Sequence, residues 1–517
     1  MTMRARHRKG FASLILASAL GLTACTVGPD YKPDKMELPD RFTEAPHQAT
    51  PADIAANEAA LRNWWAAFGD PTLTDLVQRA ITGNYDLKIA DQRIIAERAL
   101  RQRVASSWYP QLDINAGGGT NRYSIAIGNW PLRPGNPANH PQASVLTYGA
   151  TASWEIDVFG RIRREVEASD RAIDASIEAR RATLMVLLSS VARNYILLRG
   201  TQLKLSIVMA NVVRAEDALR VTQQLYHEGV SNTLQIAQAQ SERDRERAEL
   251  EPLQLKCEKL IHAISVLLGE MPGELRARLD IPMETLHRRQ SWYLLPRVPT
   301  LPATLPSIVV ANRPDIRQAE REYAEATAEI GVAVAQLYPQ FSIPLTFNPS
   351  ASAMYQAFQI NAMSWSALLM ASLPVMHGGR LTAQIAAARA RAEASRQAYR
   401  KSVLTGFQEV EDAFSSWTHD AQWVTKLHRA ARESAIASDR ARRLHAAGLI
   451  DFLNVLATQQ AMLDAQNREA DARIANVLDA VDLYVAIGAG WQDNALRNTQ
   501  LPVSVTKQNA LSRAFSR

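Results

Sequence analysis

The sequence predicts an α+β chain built twice from one unit: helix, β-hairpin, very long helix, tight turn, shorter helix. Three observations predict it. A glycine-centred turn recurs at a fixed spacing, a long proline-free helical run ends at each copy of that turn, and a pair of short alternating strands precedes each run. The turn is the clearest of the three. LYHEGVSNTLQIAQAQ at Leu225–Gln240 aligns without a gap on LHAAGLIDFLNVLATQ at Leu444–Gln459, 219 residues further on. Gly229 and Gly448 stand at the helix C′ position, and Asn232 and Asp451 stand where the next helix needs an N-cap.

The first residues bound the setting. Arg4, Arg6, Arg8 and Lys9 precede an apolar stretch from Phe11 to Leu20, the pattern of an export signal over 1–24. That stretch is shorter than the roughly 20 residues a permanent membrane helix needs. The formal charge of +6 falls to +2 once these residues are set aside, so a nucleic-acid partner loses its main support. With only Cys25 and Cys257, the chain has neither a disulfide framework nor a cysteine-rich metal site. No cofactor is expected.

In order, residues 25–70 read as an N-terminal tether and a segment that ends in Trp64, Trp65 and Phe68 as an aromatic docking point. The first repeat, 71–269, carries helical spacing from Asp86 to Ser107, then a hairpin over about 110–157. Its second strand alternates Leu146, Tyr148, Ala150, Ala152, Trp154 and Ile156 with small polar residues. That is the signature of a transmembrane strand, or of a soluble hairpin with one face on a core. The proline-free run from Arg161 to Glu228 predicts a helix of roughly 100 Å, and after the turn a shorter helix runs to Leu268 with a kink at Pro252.

A proline-rich connector, 270–305, separates this from the second repeat, 306–490, whose hairpin spans about 339–375. There Phe341, Ile343, Leu345 and Phe347 make one strand, and Trp365 through Leu373 its partner. Alanines such as Ala383, Ala387, Ala390 and Ala394 crowd the start of the second long helix and predict close helix packing. Residues 491–517 form a C-terminal tail. If the four strands enter a membrane they cannot close a barrel alone, because about eight strands is the minimum and open edges are not tolerated in lipid. At least two protomers must then share one barrel.

Leu22-Thr23-Ala24-Cys25 resembles a bacterial lipobox, in which the cysteine becomes the acylated first residue. Together with Trp64-Trp65, Phe68-Gly69-Asp70-Pro71, the Tyr-Pro-Gln triplets at Tyr109 and Tyr338 and both glycine turns, it resembles the outer membrane efflux protein family. The nearest group is the NodT/OprM-type lipoproteins, relatives of TolC. The resemblance implies an α+β membrane protein: a homotrimer with a 12-stranded β-barrel in the cell outer membrane, joined to a long periplasmic α-helical barrel. It implies lipid attachment at Cys25, a periplasmic adaptor (membrane fusion) protein and an inner-membrane RND-type transporter as partners. Thr26, in place of the aspartate that retains lipoproteins at the inner membrane, agrees with an outer membrane address.

The function so implied is passive conduction of drugs or other small molecules through a duct, with no chemistry asked of the chain. A duct for type I protein secretion and a structural coiled-coil lipoprotein without a pore are the alternatives. Gly229, Asn232, Gly448, Asp451 and Asn454 are the expected periplasmic tip and aperture. The sequence departs from the TolC pattern here, since Asn454 and Ala457 stand where that protein has two aspartates. Asp451 is the nearest acid, and capping alone and capping plus a lumen ring both remain open. His377-Gly-Gly-Arg380 and Gly117-Gly118-Gly119 lack the companions of an oxyanion or phosphate site, so no enzyme is expected.

Overall fold

The computed structural model describes residues 26–34, 36–45, 61–122, 142–282, 285–286, 291–300, 306–351 and 359–492. Cys25, the signal segment and the C-terminal tail from 493 lie outside them. The fold is mostly helical with a few strands. The first copy runs α1 (Pro71–Gly83), α2 (Tyr85–Ala105), β1 (Gln111–Arg122), β2 (Gln142–Ile156), α3 (Arg161–His227), α4 (Thr233–Ala248) and α5 (Leu250–Leu268). The second runs α6 (Pro306–Asn312), α7 (Pro314–Ala335), β3 (Gln340–Phe347), β4 (Ser350–Ala351), β5 (Trp365–Ala367), β6 (Met370–Ser372), α8 (Arg380–Ala446) and α9 (Phe452–Ala486). The long helices α3 and α8 are both 67 residues, about 100 Å each at 1.5 Å per residue.

Local chemistry sets the element ends. Pro71 occupies the first turn of α1, where its missing N–H costs nothing, and Asp70 accepts from Thr72 N (2.8 Å) and Leu73 N (3.2 Å). The expected kink at Pro252 shows as a one-residue interruption at Glu249, between α4 and α5, where the backbone stays in the right-handed helical region. Proline cannot donate to the carbonyl four residues back and crowds it, so the ladder fails one turn before the ring. The second hairpin also departs from expectation, because its return strand is split into β5 and β6. Leu368 donates to Pro344 O (3.2 Å), but Pro344 has no N–H to return.

Two compact units divide the described residues, one drawn from 26–34, 96–175 and 320–398, the other from 36–95, 176–319 and 399–492. The first contains the antiparallel sheet, ordered β1-β2-β3-β5, with β4 on β2 and β6 on β3. Its small core joins Ala326, Ile330 and Ala333 of α7 to Ile385, Ala388 and Ala392 of α8.

The second unit holds the large core. Trp64, Trp65 and Phe68, read from sequence as a docking point, are instead buried in it, and Trp64 stacks on Tyr484 with ring centroids 5.4 Å apart. Each such side chain contributes about 1.5–3 kcal/mol by leaving water. Asp70 anchors this region twice, capping α1 and accepting from the Tyr195 hydroxyl at 2.6 Å. Burial pushes the Tyr195 phenol up to about 12, so it stays a donor. Cys257 is buried too, and burial raises its thiol to about 11, which suppresses thiolate chemistry.

Candidate functional site

Two features stand out, one in each unit. The first is the sheet. Its register places Leu112 opposite Ala152 and Ile114 opposite Ala150, then Trp154 opposite Ile343 and Leu345 opposite Ala367. Because side chains alternate along a strand, one face is apolar from β1 through β5. The other carries Asp113, Asn115, Thr151, Ser153 and Thr346. The apolar face is uncovered: Ile114 is 83% exposed and Trp365 77%. A soluble hairpin packed on a core would bury these side chains. β1 and β5/β6 are open edges with no further strand among the described residues. The glycine run at Gly117–Gly119 lies within β1, and His377 accepts at its carbonyl from Arg380 N (3.0 Å) where α8 begins.

The second feature is the pair of turns. Gly229 (φ 74°) and Gly448 (φ 71°) both take the left-handed conformation that ends a helix. Val230 N donates to Leu225 O (2.9 Å) and Leu449 N to Leu444 O (3.0 Å), so the same motif closes both. Asn232 accepts from Gln235 N at 3.0 Å, and Asp451 accepts from Phe452 N at 2.7 Å, as expected of N-caps. Asn454 is exposed and donates its N–H to Asp451 O (3.1 Å).

Three contacts at the turns go beyond the sequence reading. Gln235 Nε2 of the first turn donates to Asp451 Oδ1 of the second at 2.6 Å, which ties the two copies together. Phe452 is buried against Leu219, Ala239, Ala441 and Val455. His445 lies beside it, with ring centroids 5.6 Å apart, and its Nδ1 is 3.1 Å from Ile450 O. The spacing of His445 and Phe452, two helical turns apart in number but divided by a glycine, was the only sequence signal for that cluster. The turns also expose matched apolar residues: Val230 and Leu449, and Leu234 and Leu453.

Comparison with known proteins gives these features a family. The family model described as "Outer membrane efflux protein" matches residues 76–270 and 305–489. The cation efflux system protein CusC of Escherichia coli O6:H1 is 28% identical over 481 residues, spanning 92% of this chain and 97% of that one. The solvent efflux pump outer membrane protein SrpC of Pseudomonas putida is 27% identical over 486 residues, 93% of this chain and 98% of its own. Among solved structures, the outer-membrane channel OprN superposes with a TM-score of 0.78 at 30% identity, covering 91% of this chain and all of that one. On a family match that spans both copies of the repeat, the chain belongs to the outer membrane efflux protein family.

Proposed function

We propose that this chain is the exit duct of a three-part efflux assembly, passively conducting small molecules that an inner-membrane RND-type transporter and a periplasmic adaptor deliver. Efflux at the outer membrane is the role of the family, whose channels are not enzymes. The observation that carries the reading is the sheet, with its bare apolar face and two open edges. Neither is stable in water, and open edges are excluded from lipid, so the strands call for other copies of the chain. Three copies of this four-position sheet make a 12-stranded barrel, the homotrimer proposed here.

Exposed alanines on α8 support the same assembly. Ala383, Ala387, Ala390 and Ala394 lie uncovered along one side of the helix, while Ala388 and Ala392 face the small core. Side chains that small let helix backbones approach closely, which suits walls shared between protomers. The exposed apolar pairs at Gly229 and Gly448 suit the adaptor, and the ring of such turns is the aperture of this reading. Cys25 would carry the acyl anchor in outer membrane lipid. Relatives named for cation and for solvent efflux share the duct, so cargo is assigned to the pump rather than to this chain.

Conductance of purified protein in planar bilayers tests the duct directly. Discrete ohmic steps are expected, and their absence would leave a structural lipoprotein. Gene deletion followed by susceptibility testing against a broad compound panel should show hypersensitivity. Unchanged susceptibility with loss of a secreted polypeptide would move the duct to type I secretion.

A further inference from the structure

The described chain begins at Thr26, one covalent step from Cys25, and residues 27–34 are fastened at many points. Val27 N donates to Phe159 O at 3.2 Å, three residues past the end of β2. Arg164 of α3, with its side chain only 4% exposed, donates to Val27 O (3.2 Å), Gly28 O (3.4 Å) and Asp30 Oδ1 (2.6 Å). Its third nitrogen, Nη1, donates to Glu167 Oε2 at 2.8 Å. Gly28 lies so close to α7 that a Cβ there would fall 2.5 Å from Gly331 Cα. Further on, Tyr31 OH donates to Glu320 (3.0 Å), and Arg396 of α8 reaches Asp34 (3.2 Å). All of these groups belong to the unit that carries the sheet.

A segment whose only task is to leash a protein to a membrane needs length and freedom, as flexible linkers have. Burying a guanidinium to hold three acceptors on one short stretch does the opposite, because a buried charge is tolerated only when its hydrogen bonds are met in one geometry. We infer that residues 26–34 form a positioning strap, with Arg164 as its positioning residue, seating the acylated N-terminus at the root of the sheet. Acyl chains and the bare apolar sheet face then meet the bilayer at one fixed separation. The strap makes lipidation a step in barrel insertion as well as an anchor. This rests on the lipid-attachment reading of Cys25.

A double-mutant cycle on the full chain in outer membranes tests it. One arm is Arg164→Ala, and the other is Cys25→Ser exported on an ordinary cleavable signal. The readout is the fraction of protein in heat-resistant, bilayer-conducting form, with palmitate incorporation followed in parallel. In the acylated chain Arg164→Ala should cut that fraction about tenfold while palmitate labelling stays at the wild-type level. In the Cys25→Ser background it should have little further effect, because there is no anchor left to position. Equal losses in both backgrounds would overturn the inference and leave Arg164 as an ordinary packing residue. If Arg164→Ala is degraded before insertion, Gly28→Ala unseats the strap from Gly331 while the Arg164 side chain is kept, and the same cycle is read with it. Absence of palmitate in the wild-type chain is a different failure, removing the anchor itself and the inference with it.

Discussion

At the first turn the residue after the cap, Thr233, faces solvent; at the second its counterpart Phe452 is 1% exposed and fills a cluster with Leu219 and Ala239 of the first copy. Tyr226 is 40% exposed, whereas His445 at the equivalent position is buried against Phe452. The caps differ too: Asn232 caps its own helix, while Asp451 both caps its helix and accepts from Gln235 across the pair. Duplication preserved the backbone solution, a left-handed glycine followed by a cap, because helix geometry leaves few others. It did not preserve the packing. Phe452 of the second copy is the plug, and Leu219 and Ala239 of the first are part of its socket.

The asymmetry can be broken most severely at the plug. Phe452→Ala should cost about 3–5 kcal/mol through lost burial and a residual cavity, whereas Thr233→Ala should stay within about 0.5 kcal/mol. Thermal unfolding of the two variants checks this, and similar losses would remove the distinction between the turns. Next, Gly229→Ala and Gly448→Ala should each cost roughly 1–2 kcal/mol, the strain of an L-residue in the left-handed region. The two costs should match, since an added Cβ meets nothing within 4 Å at Gly229 and only Val230 at 3.8 Å at Gly448.

The caps probe a finer difference. Asn232→Ala and Asp451→Ala should each lose about 1 kcal/mol. Asp451→Asn keeps the cap oxygen and should change stability by only a few tenths of that, so it isolates the charge. If Asp451 lines the aperture, bilayer measurements should show this variant losing cation preference. Unchanged selectivity would leave capping as the residue's sole role.

The smallest effect is on pH dependence and arises away from both turns. Burial, then the neighbouring Asp420 carboxyl, raises Asp479 from 3.8 to about 7. Burial, then Glu329, Glu322 and Glu97, raises Glu325 from 4.5 to about 7. A carboxyl with a folded value above its unfolded one makes the native state bind more protons in that window, so stability falls as pH rises from about 4.5 through 7. Asp479→Asn and Glu325→Gln should each flatten that part of a Tm–pH curve relative to wild type.

Much of this was legible in the residues. Gly229 and Gly448 with their caps marked the turns within a residue or two, since both act through local backbone chemistry. The alternation of Leu146 through Ile156 marked β2, which runs Gln142–Ile156. α1 went unread although Asp70-Pro71 is a sound helix start, because its Leu73, Leu76, Val77 and Ala80 bury against residues far along the chain. The split of the last strand was signalled only by Pro344, whose effect depends on which residue lies across from it.

The sequence by itself determined the duplication, the lengths of the helices and where they turn, because each depends on neighbours within a few positions. Only the tertiary structure decided that Trp64 and Trp65 belong to a core, that Phe452 is buried while Thr233 is not, that Gln235 reaches Asp451, and that Arg164 holds residues 27–30. Those outcomes join residues more than a hundred positions apart, and burial and hydrogen-bond satisfaction are settled by the packed neighbours rather than by the local run of side chains.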